Sequence, residues 1–177
     1  MHCKTFYNNN INDLYDWDRK YQYSNGKIFF KLLEKSFILP HMPLSRKDVL
    51  KSIGGYDIRM KSCIDYDFWL RVASYGANFH YQNDENFVLY RIRDYSLSSS
   101  SPGFASNGLY SLGKFKGNIH KMTNDEKKIY NHAIGDWVFR RGKSNHEKGN
   151  YYLGIKDMFF GILKNNSDLT YKISFLL

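Results

Sequence analysis

The chain has 177 residues, 18% of them aromatic, with 26 Lys and Arg against 17 Asp and Glu, a net charge of +9. That length bounds it at one domain with room for an appendage, and the aromatic content excludes a disordered chain. The basic excess favours anionic partners, but it is spread along the chain without an Arg-rich helix or a nucleic-acid motif.

In chain order, residues 2–7 (HCKTFY) read as a short strand, and residues 8–26 as polar turn sequence. Residues 27–36 (KIFFKLLEKS) repeat apolar side chains at helical spacing. FILPHMP, at 37–43, is apolar but carries two prolines, so it reads as extended. Ser45-Arg46-Lys47-Asp48 resembles a capping box that opens a helix, with Gly54 as its C-terminal glycine. Gly55-Tyr56-Asp57 continues as a turn. A helix is expected over 66–75, with Asp65 at or near its N-cap and Gly76 ending it.

Two strands are expected at 78–81 and 86–91, and FVLYR alternates so poorly that it reads as buried on both faces. Residues 94–108 (DYSLSSSSPGFASNG) read as a Ser/Gly/Pro-rich loop, either a lid or a linker. Thr123-Asn124-Asp125-Glu126 is a second capping signal, with helical spacing through residue 141. A further helix at 147–163 makes a helical hairpin, and the apolar end TYKISFLL follows it.

Cys3 and Cys63 have no metal-ligand spacing and are too few for a disulfide framework, which points to a reducing compartment. No run reaches transmembrane length, and MHCKTFYNNN has no apolar signal core. The expected location is cytoplasmic, with any membrane contact peripheral, at the inner face. The six histidines share no ligand spacing, and only His41, between two prolines, lies near a motif of interest. Asp16-Trp17-Asp18 spells Asp-x-Asp, but no apolar strand precedes it and a polar surface loop explains it as well.

Taken together, residues 27–98 carry five motifs in a particular order. They are an amphipathic helix, Ser45 to Leu50, Gly54-Gly55-Tyr56-Asp57, Ile64-Asp65-Tyr66-Asp67 with Trp69 and Arg71, and Tyr90-Arg91 ahead of a Ser-rich segment. This order resembles the acceptor-side half of family-2 glycosyltransferases. The resemblance implies an α/β chain, a partial glycosyltransferase-A (nucleotide-diphospho-sugar transferase-like) fold over 1–118, with an α-helical tail over 119–177. It implies inverting transfer of a sugar from a nucleotide-sugar donor to a glycan or lipid-linked acceptor, in polysaccharide biosynthesis at the cell envelope. Asp65 matches the family's catalytic base, and a carboxylate within reach of an acceptor hydroxyl is what that reaction needs. Trp69, Arg91, Arg93 and His41 are the substrate-contact candidates implied with it.

Each assignment has a plainer counterpart. Asp65 and Asp67 suit a helix start, where the dipole favours acids. Asp67 and Arg71 form a favourable i,i+4 pair, so Asp67 reads as structural. Trp69 walls an acceptor site or fills the core; Arg93 meets phosphate or is a solvated loop charge.

The chain departs from the family at three points. Ile64 replaces the family's glutamate, leaving a single carboxylate at that pair. Arg93 stands where the family carries histidine. No segment matches the family's donor-binding half with its Asp-x-Asp, so the divalent metal (Mn or Mg) of the complete enzyme has most of its ligands missing here. The chain alone is therefore expected to be inactive, and to need a donor-half polypeptide or to self-associate. The alternatives are a non-catalytic sugar- or partner-binding remnant and, ranked last, a basic nucleic-acid binder; nucleic acid is not expected.

Overall fold

The computed structural model describes residues 3–7, 15–16, 25–41, 43–81, 88–92 and 102–164. Three strands form a small mixed sheet: β1 (Cys3–Tyr7), β2 (Tyr15–Asp16) and β3 (Val88–Ile92), in the order β2-β1-β3. β1 pairs antiparallel with β2, with Lys4 opposite Asp16, and parallel with β3, with Thr5 opposite Tyr90. The other regular elements are helical, so the described chain is mostly α with a short sheet.

The helices are α1 (Phe29–Glu34), α2 (Lys47–Ser52), α3 (Ile64–Ser74), α4 (Pro102–Gly113), α5 (Asn124–Glu147) and α6 (Tyr151–Lys164), with a 3-10 turn at Lys116–Lys121. α3 is the hub. Leu70 at its middle is fully covered, and Tyr66, Phe68, Trp69 and Val72 all lie in one core with Leu32 of α1 and Leu112 of α4. α5 reaches the same core through Tyr130 and Ala133. The Tyr130 hydroxyl, buried there, donates to the Leu112 carbonyl at 2.7 Å, which meets its polar demand inside the core.

Several elements differ from the sequence reading. α2 starts at Lys47 behind Arg46, with no side-chain cap, because Asp48 is held by the Arg46 guanidinium at 2.9 and 3.2 Å instead of closing on Ser45. α3 starts at Ile64, so Asp65 lies inside the first turn; Cys63 precedes it in a left-handed conformation, φ 54. Gly76, at φ +91, ends α3 as expected. Asn78–Tyr81 makes only an isolated bridge, Gly26 to Phe79, rather than a strand.

The expected loop at 94–108 is helical from Pro102 onward; residues 94–101 lie outside the described residues. Proline suits the first helical turn, where its missing N–H costs nothing. Gly108 is needed for packing, since a Cβ there would sit 2.4 Å from the Trp137 ring of α5. Tertiary contact therefore overrides a turn-like composition. β3 is not covered on both faces: it ends the sheet among the described strands, and Leu89 is 52% exposed.

The capping box at Thr123 forms in full, with Glu126 N–H donating to the Thr123 hydroxyl and Thr123 N–H to the Glu126 carboxylate. α5 runs beyond residue 141 because it pairs along its length with α6, and Arg141 clamps Asp157 with two bonds of 2.7 and 2.9 Å. Arg140, Arg141 and Lys143 all lie within α5. Glycines set the closeness of the pair: a Cβ on Gly142 or Gly161 would lie 2.7 Å from a carbonyl of the opposite helix.

Candidate functional site

The Gly54-Gly55-Tyr56-Asp57 turn and α3 are separated in sequence but joined by buried charge. Asp67 is fully covered. A charge so placed needs cationic partners. Arg71 Nε–H donates to Asp67 at 2.8 Å, and its other nitrogens donate to the Ile53 carbonyl at 2.8 Å and the Gly55 carbonyl at 2.6 Å. Arg71 therefore pins the glycine turn to α3. Both glycines have positive φ, +75 and +74, which the turn requires.

Lys114, at the end of α4, completes the network by donating to Asp67 and, at 2.9 Å, to Asp57. Asp57 is also gripped by Arg59 through two bonds of 2.9 and 2.8 Å. The Arg59 guanidinium, and after it the Lys114 ammonium, hold the Asp57 carboxyl well below the usual carboxylate range. Tyr110 lies under both cations, with Lys114 4.8 Å and Arg59 5.7 Å from its ring centre.

These groups border an open cleft of about 450 Å³, lined by residues 54–59 with Arg71, Tyr110 and Lys114. Its walls combine aromatic faces, guanidinium and ammonium groups, and turn backbone. That surface suits a polar, ring-shaped or anionic ligand.

α4 also holds the start of α3. Asn107 donates to the Ser62 hydroxyl at 2.8 Å, and the Cys63 thiol donates to the Phe104 carbonyl at 3.3 Å. Burial, and next the neighbouring Asp65 charge, push the Cys63 thiol up to about 12, so it stays neutral.

Asp65 sits on this clamped first turn, half-buried, and among the described residues no hydrogen bond or ion pair holds it. It does not line the cleft. Trp69, expected as a possible wall, is a core residue: it is 5% exposed and packs edge-on against Phe68 at 4.8 Å and Phe79 at 6.3 Å. One turn along from Asp65, it falls on the inward face of α3. His41 is exposed and stacks on Tyr90 of β3, with centroids 5.4 Å apart and planes within 7°. Partial burial lowers the His41 pKa, which favours neutral imidazole. Arg91 is exposed on β3, on the strand face opposite Tyr90, and Arg93 lies outside the described residues.

The structure thus sets His41 against Tyr90 at β3, and Asp65 on the clamped helix start. Sequence reasoning found the glycine turn, Asp67 and Arg71. It missed Lys114, Tyr110 and Arg59 as partners of that unit. Tyr110 rides on α4 and Lys114 directly follows it, and α4 had no clear helical signal; Arg59 follows a turn that says nothing about its direction. Compared with known proteins, the chain matches no family model, no curated protein and no solved structure.

Proposed function

We propose that the chain is the acceptor-side portion of an inverting glycosyltransferase that moves a sugar from a nucleotide-sugar to a glycan or lipid-linked acceptor on the cytoplasmic side of the membrane. The observation that supports this reading best is the division of labour between two neighbouring carboxylates. Asp67 is consumed by Arg71 and Lys114, which lock the Gly54–Asp57 turn onto α3. Asp65, two residues earlier on a clamped first turn, is left without a described partner. A general base needs that freedom, because it must accept a proton that no fixed cation is holding off.

In the proposed step the acceptor O–H bond breaks toward the Asp65 carboxylate. The acceptor oxygen forms the new bond to the sugar's anomeric carbon, and the bond from that carbon to the diphosphate breaks. The nucleoside diphosphate leaves with the electron pair. Arg91 and Arg93 are the proposed contacts for its phosphates. The Mn or Mg of the complete family enzyme does not fit the cleft. Asp57 accepts from Arg59 and Lys114, and Asp67 from Arg71 and Lys114, so cations already occupy both carboxylates. No step here runs through a metal.

A second reading is a binding remnant of such an enzyme. It is favoured by the position of Asp65 outside the cleft of about 450 Å³. The two are separated by assaying purified chain with nucleotide-sugar donors and surface-glycan acceptors, alone and with a donor-binding half supplied as a second polypeptide. The proposal expects no turnover alone and turnover in the mixture. Robust turnover by the chain alone removes the need for a donor half. Glycan binding with no turnover in either assay supports the remnant.

A further inference from the structure

α6 turns one apolar stripe inward and leaves a second one outside. Gly154, Met158, Gly161 and Ile162 are buried, while Tyr152, Phe159 and Leu163 are 77%, 60% and 62% exposed. Spacings of seven and four place these three on one face, with Lys156 between them. An ordinary surface helix has a single apolar stripe, turned to the core, and a polar outer face.

The charge on this face has one sign. Lys156 lies on this face; Lys164, exposed at its flank, donates to Asn131 Oδ1 of α5 at 3.3 Å and lies 5.9 Å from the Phe160 ring centre. The one acid of α6, Asp157, is turned to α5 and clamped by Arg141. Glu147, the last residue of α5, lies 3.9 Å from Lys143. The face therefore offers apolar and aromatic groups with two cations on a chain of net charge +9.

We propose that α6 lies flat on an anionic phospholipid surface. Tyr152, Phe159 and Leu163 enter the boundary between headgroups and acyl chains, and Lys156 and Lys164 reach the lipid phosphates. Lysine is depleted from the buried centres of protein interfaces, but at a bilayer its stem lies along the apolar layer while the ammonium stays among headgroups. Tyrosine favours the same boundary, with its ring inward and its hydroxyl wet. The helix lies on the surface and does not span it: no described helix is long and apolar enough to cross. At 14 residues α6 covers roughly 21 Å, short of the ~30 Å hydrocarbon layer. This inference rests on no part of the transferase reading.

The test is co-sedimentation of the full chain with vesicles of phosphatidylcholine, with and without one quarter phosphatidylglycerol. Binding is expected only to the anionic vesicles, and it should weaken as salt is raised. Phe159→Ser with Leu163→Ser, and separately Lys156→Glu with Lys164→Glu, should each weaken it by about tenfold or more. Circular dichroism should be unchanged in both pairs, because all four side chains are exposed. Absence of binding overturns the proposal, as does equal binding to neutral vesicles. So does a dimer in sedimentation velocity that the Phe159→Ser, Leu163→Ser pair converts to monomer, which would make the face a protein interface.

Discussion

Asp65 and Asp67 stand two positions apart and do opposite things. Asp67 is fully covered and held between Arg71 and Lys114, whose side chains are 19% and 21% exposed. Removing its carboxylate leaves Arg71, largely covered, with no acidic partner among the described residues, and Lys114 with Asp57 alone. Asp67→Ala should therefore cost about 3–5 kcal/mol, read as a lower urea midpoint. Asp65→Asn removes only a favourable charge from a helix start, so it should cost no more than about 1 kcal/mol in the same titration. Equal costs for the two would contradict this division. Asp57 supplies a pH signature. Its pKa is depressed in the folded chain, so its stabilisation is present above the ordinary carboxylate range and is lost as pH falls through and below it. Asp57→Asn should flatten the acid limb of a stability–pH profile and weaken the neutral plateau. An unchanged acid limb would show that the Arg59 and Lys114 contacts do not persist in solution.

At the scale of the element, the α5–α6 hairpin is built by absent side chains. A Cβ on Gly161 would lie 2.7 Å from the Gly135 carbonyl and 2.8 Å from the Phe139 Cβ, with rigid backbone on one side. Alanine gains about 1 kcal/mol of helix propensity there, but overpacking costs about 1–3 kcal/mol, so Gly161→Ala should lower the melting temperature. Gly113, at the end of α4, has open space around its would-be Cβ. Gly113→Ala should leave melting unchanged or raise it slightly, which makes it the matched control.

For the molecule as a whole, what the sequence makes legible is local. The Thr123 capping box, the Gly54 and Gly76 helix ends, β1, β3 and the helical hairpin all follow from short-range chemistry, and all form. α4 was illegible because its Ser- and Gly-rich composition answers to Trp137, a neighbour known only once the chain is folded. Half of the charge network was illegible for the same reason: Lys114 meets Asp57 across 57 residues and Asp67 across 47. The i,i+4 pair of Asp67 and Arg71 could be read from spacing, but its role in pinning the Gly55 carbonyl could not. Trp69 shows the limit in the other direction. A residue placed near the site by motif order turns inward once helical phase is set by the core.

The claim that joins these scales is that Asp65, kept free while Asp67 bears the structure, takes the acceptor's proton. The most direct measurement is the transfer rate of Asp65→Asn against the parent chain, each assayed with a donor-binding half supplied as a second polypeptide and each checked for an unchanged melting temperature. The account predicts a rate lower by about 10²–10⁴-fold with folding intact. A rate within about twofold of the parent would contradict it.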